Sequence, residues 1–186
     1  MKFTHRYWSK HSPRRVFEIH RDELMDFGPE LPGVASVQRR SAVHEGQMLQ
    51  LVHRWVGDSS VLPGVLKLLV PAWMFVWEDR SSWDEKRLQG HWRISAPYLG
   101  PMVRIEGTHA FHPHPEGCEV SVDGELWVAV VERLGGARID AAVQDLFSSV
   151  LTSAQEVIER HLERGRRREA FDDLPPAQEH EWPGTG

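Results

Sequence analysis

At 186 residues, with 40% hydrophobic and 26% charged residues, the chain has the size and composition of one folded domain that can bury a substantial core. Its 22 Lys and Arg against 27 Asp and Glu give a formal net charge of -5, which excludes a globally basic surface for nucleic acid. The lone cysteine, Cys118, excludes an internal disulfide, and the opening Met1 to Trp8 has no apolar core of a secretory signal, so a cytoplasmic location is expected.

Lys2 to Ser9 alternates and reads as a first strand. Ser12-Pro13 then supplies an N-cap and a proline at the first helical position, and Val16, Phe17, Ile19, His20 and Leu24 follow at helical spacing. This helix is expected to stop near Asp26 to Gly28, with a second short helix around Glu23 to Phe27 or Pro29 to Leu31. Val34 to Glu45 is a second strand, turned at Gly46 into a third, Gln47 to Val56, in which Leu49, Leu51, His53 and Trp55 share one face. Val61 to Trp77 is the most apolar run, but Pro63, Lys67 and Pro71 interrupt it, so no stable membrane insertion is expected. Ser59 to Pro71 suits a flap over a cavity or a buried loop.

Trp73 to Arg80 reads as a fourth strand with Trp73, Phe75 and Trp77 on one face, and Arg87 to Ala96 as a fifth with Trp92 and Ile94 on one side. The segment through Trp83, Asp84 and Glu85 reads as the polar end of the hairpin between them. From Cys118 to Val131 every even position is apolar or glycine, and Val103, Ile105, Gly107, His109 and Phe111 match that pattern in the preceding strand. A tight turn at His114-Pro115-Glu116-Gly117 without a bulge places Phe111 opposite Val120, His109 opposite Val122 and Gly107 opposite Gly124. The facing glycines read as a place of strong bending or of space left for a ligand. After Gly135-Gly136, an apolar stripe that includes Phe147, Val150, Val157, Ile158 and Leu162 marks one long amphipathic helix from Ala137 to about Arg164. The domain is thus expected over residues 1–164, followed by a mostly disordered, charged and proline-rich tail over 165–186.

The order of strand, helical segment, six strands in hairpins and long C-terminal helix resembles the START-like superfamily, also called SRPBCC. The local cues are Ser12-Pro13, Leu31-Pro32-Gly33, Glu106-Gly107 and Gly135-Gly136, and the resemblance spans residues 1–164. That superfamily includes birch-pollen-allergen-like proteins, lipid-transfer START domains and polyketide cyclases, and the similarity is greatest to bacterial members without an assigned activity. The resemblance implies an α+β helix-grip fold: a seven-stranded curved antiparallel sheet wrapped around the C-terminal helix, with an apolar cavity between them. Such a fold does not itself decide function.

On that fold the inward strand positions Trp55, Phe75, Trp77, Trp92, Ile105, Phe111 and Val128, with Phe147 and Val150 from the helix, would line one volume. A lining of this kind suits a small hydrophobic ligand such as a lipid, sterol, isoprenoid or polyketide-like molecule, and the same rings would equally serve as ordinary core. His53 and His109 are the candidate catalytic residues of an alternative reading, an aromatase/cyclase-like enzyme, although no partner carboxylate stands at a fixed spacing from either. His109, His112, His114 and Cys118 have metal-ligating chemistry, but strand parity points the first two to opposite faces, so no metal is expected. No cofactor is expected either, since there is no glycine-rich phosphate loop, nucleophile elbow, HExxH or CxxC. Outward Trp127 supports a third reading, a protein-interaction module, and leaves homodimerisation open.

Overall fold

The computed structural model describes residues 1–58, 60, 75–98, 103–128 and 137–172. Its elements are β1 (Lys2–Ser9), α1 (Pro13–Asp22), α2 (Leu24–Phe27) running into a 3-10 turn (Gly28–Glu30), β2 (Val34–Glu45), β3 (Met48–Gly57), β4 (Val76–Asp84), β5 (Gln89–Ser95), β6 (Val103–His114), β7 (Gly117–Val128) and α3 (Ala137–Asp172). The strands form one seven-stranded antiparallel sheet in the order β1-β7-β6-β5-β4-β3-β2, so every pair is a hairpin neighbour except β1 with β7.

Local chemistry accounts for several boundaries. Ser12 Oγ accepts a hydrogen bond from the Arg15 amide at 3.3 Å, and Pro13 occupies a position where a helix has no use for an N–H. At the β6–β7 turn Gly117 has φ 145, and a side chain there would run into the Ser9 carbonyl and Lys10, so glycine is needed for both conformation and space.

The β6–β7 register follows the tight turn without a bulge: Phe111 faces Val120, His109 faces Val122 and Gly107 faces Gly124. The space over the two glycines is filled by rings rather than left open. A Cβ on Gly107 would lie 2.7 Å from Trp92 Cζ2, the Phe3 ring covers Gly124, and the two rings stack with centroids 6.4 Å apart.

The β4–β5 hairpin corrects the sequence reading. β4 continues through Trp83 to Asp84, and the turn falls at positions 85–88. Trp83 is not a polar hairpin end but a core residue, 5% exposed, whose indole N–H donates to Ser81 Oγ at 3.0 Å. Asp84 starts the turn, its Oδ1 accepting from the Lys86 and Arg87 amides at 3.0 Å each. Trp73 and the proposed flap, apart from Ser60, lie outside the described residues, as do Gly135-Gly136 and positions 173–186. The final helix passes the boundary drawn at residue 164 and runs to Asp172.

One face of the sheet carries the helices. Phe17 of α1 meets Trp83 and Phe111 edge-on at 5.5 and 5.6 Å, while Val157, Ile158 and Leu162 of α3 join the same buried cluster with Tyr7, Val120 and Val122. α3 is also tied to the first strand by His5 Nε2 and Gln155 Oε1, 3.2 Å apart.

Candidate functional site

Residues of like parity on neighbouring strands form transverse rows across the inner face. Tyr7, Val120 and Phe111 make the row under α1. The next holds His5, Val122, His109, Gly90, Trp83 and Leu49, and the third Phe3, Gly124, Gly107, Trp92, Ser81 and Leu51. The fourth is Leu126, Ile105, Ile94, Asp79 and His53, and beyond it Trp77 faces Trp55.

The end under α1 is packed and hydrogen-bonded. Tyr7 Oη and His20 Nε2 are 2.9 Å apart, a hydrogen bond whose donor depends on the imidazole tautomer. Burial raises the Tyr7 phenol above its usual range and pushes the His20 imidazole well below its own, with His109 adding to the latter, so both groups are neutral. The ring of His109 lies 5.2 Å from His20 and 5.9 Å from Trp92, and it stacks on Trp83 at 6.0 Å.

The far end differs. His53 is 1% exposed, yet neither of its ring nitrogens has a hydrogen-bond partner. Asp79, its register partner on β4, has a buried and unpartnered Oδ1. The indole N–H groups of Trp55 and Trp92 are also buried without partners, and at the α1 end so is Nδ1 of His109. Burial moves the Asp79 carboxyl from 3.8 up to about 7. Burial, reinforced by the charge of Arg39, moves His53 from 6.5 down to about 4, and burial alone does the same to His109. At neutral pH both imidazoles are therefore uncharged, and the carboxyl retains its proton in a large share of molecules.

The residues expected to line one volume fall into two groups. Trp55 stacks on Trp77 at 5.9 Å, and Phe75 leans on Trp77 at 5.3 Å, beyond the His53–Asp79 row. Phe111 belongs to the core under α1, with Trp92 and half-buried Ile105 between the two groups. Val150 is half-buried on α3, and the side chains of Val128 and Phe147 lie outside the described residues. Of the candidate catalytic histidines, His109 sits inside an aromatic box and His53 faces Asp79.

No protein-family model matches the sequence, and no curated protein is similar to it in sequence. Solved structures are similar in fold. The crystal structure of TTHA0849 from Thermus thermophilus superposes with a TM-score of 0.68 at 21% identity, covering 89% of this chain and 99% of that one. The Zhui aromatase/cyclase from Streptomyces sp. R1128 gives a TM-score of 0.62 at 14% identity, covering 88% and 94%. Norcoclaurine synthase from Thalictrum flavum gives 0.56 at 13% identity, covering 87% and 86%. The chain has the helix-grip fold. This is the fold that the order of elements implied.

Asp79 is the residue of the candidate site that is not legible in the sequence. It stands two positions after Trp77 and so on the same face of the strand, but a carboxylate in an acidic and basic stretch, Glu78-Asp79-Arg80, reads as solvated surface. An open groove of about 560 Å³ crosses the helix-grip sheet where Arg80, Ser82, His91, Arg93 and Thr108 project on the opposite face, away from the inward aromatics. Arg93 and Arg104 both pair with Glu106 there, at 3.1 and 2.6 Å. Among the described residues, Glu23, Asp26 and His161 bring their ligating atoms within 4.8 Å of one another. Glu23 is already engaged, by Arg15 at 2.6 Å and His161 at 3.1 Å. His112 and His114 are exposed whereas Cys118 is buried, so the four metal-capable residues noted in the sequence do not converge.

Proposed function

We propose that the protein binds and carries a small hydrophobic ligand on the inner face of the helix-grip sheet, against the C-terminal helix. The observation that supports this is the set of orphaned polar atoms on His53, Trp55, Asp79 and Trp92 amid aromatic rings. Buried polar groups in folded proteins are nearly always partnered, and although His109, Glu159 and His161 also carry unpartnered atoms, those on His53 and Asp79 face each other across adjacent strands, as a site for a ligand or ordered water requires. The buried free thiol of Cys118 fits the cytoplasmic setting of this reading. Native mass spectrometry with organic extraction of the purified protein is expected to reveal a co-purifying apolar molecule. Failure to retain any ligand from a lipid and polyketide panel would overturn the proposal.

A second reading, acid–base catalysis of the aromatase/cyclase kind, draws support from Asp79 standing across from His53, the carboxylate absent from the sequence argument. Solved structures of the same fold that are named aromatase/cyclases include one at 14% identity. Turnover of a poly-β-carbonyl compound that disappears in His53→Ala while binding persists would establish this reading. Equal turnover in the variant would remove it.

A further inference from the structure

The polar side chains of His53, Trp55 and Asp79 at the β3–β4 end, with Trp92 one row away on β5, do more than mark a candidate site; their chemistry restricts what can fill it. His53 and Asp79 face each other on adjacent strands but are not hydrogen-bonded to one another. A neutral imidazole offers one donor and one acceptor, a protonated carboxyl offers the same pair, and each indole offers a donor only. Together they complement a neutral group with lone pairs and, at most, one proton of its own. A hydrocarbon would leave all of them unsatisfied. An ionised carboxylate would have to leave water for a poorly hydrated setting, and it would meet like charge in the share of molecules whose Asp79 has lost its proton, so both desolvation and repulsion disfavour it. The cation that acts on His53 is Arg39, its register partner on β2. Arg39 is exposed, and its Nη2 donates to the Asp22 carbonyl at 3.0 Å, which directs it to the end of α1.

We propose that His53 and Asp79 form a polar subsite that selects a ligand whose apolar body ends in a neutral hydroxyl or carbonyl group, against the matching ionised carboxylate. This inference rests on the binding reading above and specifies its ligand class. Trp55 and Trp92 supply further donors along the same face.

The test compares matched probes on two skeletons by calorimetry at pH 7: naphthalene, 1-naphthol and 1-naphthoate, then octane, octan-1-ol and octanoate. The alcohols are expected to bind about tenfold more tightly than the hydrocarbons, the scale of a single hydrogen bond, with the carboxylates weakest. In Asp79→Leu and His53→Leu the alcohol preference should vanish while hydrocarbon binding remains, and Asp79→Asn should retain the preference. A carboxylate that matches or exceeds its alcohol in the unmodified protein overturns the proposal, even where the leucine variants do not fold. So does a preference that survives both leucine substitutions. Hydrocarbon binding without any preference removes this inference and leaves the binding reading standing, whereas no binding on either skeleton removes both.

Discussion

The two ends of the inner face use similar residues to opposite effect. Under α1, Phe17, Trp83, Phe111 and Tyr7 pack together, and the polar atoms that come with them are answered: Tyr7 by His20, the Trp83 indole by Ser81. Toward β3 and β4, Trp55, Trp77 and His53 supply comparable rings, but most polar atoms on these and on Asp79 find nothing. Aromatic content therefore does not tell core from site in this fold. The separating feature is how many buried donors and acceptors lack partners within the protein: most of those on His53, Trp55 and Asp79, against Nδ1 of His109 under α1.

If that separation is real, truncation should be costly at one end and cheap at the other. Phe17→Ala or Phe111→Ala removes a ring from a fully packed cluster and should cost about 3–5 kcal/mol in urea unfolding. Trp77→Ala deletes a larger but half-buried ring and should cost about half as much or less. Equal losses would mean that both ends are packed core.

The polar end should also show itself through pH. Below about pH 4, Asp79 keeps its proton whether the chain is folded or not, and it costs no stability. As pH rises from there, the unfolded chain releases the proton while the buried group holds it until about 7, so stability falls by up to about 1.4 kcal/mol per pH unit and then levels off. His53 and His109, held near 4, act in the other sense: the stability they permit is full above 6.5 and is lost as pH falls toward 4. The unmodified protein thus sums opposed trends, which Asp79→Asn separates. The stability gap between variant and parent should widen from about pH 4 to 7 and stay constant above. A gap independent of pH would show that water reaches the carboxyl.

Much of the scaffold was legible in the residues, because its signals are local or periodic. Ser12-Pro13 opened α1, and the β6–β7 pairing followed from one turn and one alternation. β4 was harder. Its inward positions run Trp77, Asp79, Ser81, Trp83, an alternation in which two polar residues break the apolar series, so the sequence pattern ends too early and leaves Trp83 in a turn. The same two residues hide the candidate site. Asp79 belongs to the inner face by parity, but only pairing with β3 sets it opposite His53, and a single strand carries no record of its partner. The division of the aromatics into two groups was equally out of reach, since it depends on where α1 lands on the sheet.

The smallest effect discriminates best, because it isolates a single polar atom at each end. Tyr7→Phe keeps the ring and removes the hydroxyl that meets His20, leaving a buried imidazole nitrogen unanswered, so it should destabilise by about 1 kcal/mol. Trp55→Phe removes an indole N–H that already lacks a partner. Its loss of ring area works against stability and its loss of an unsatisfied donor works for it, so the net change in ligand-free protein should be near zero. Both outcomes can be read in one set of chemical unfolding curves. A Trp55→Phe loss as large as that of a core ring would show that the Trp55 N–H is answered in solution. The polar end would then be core like the other, and the case for a ligand there would rest on the fold alone.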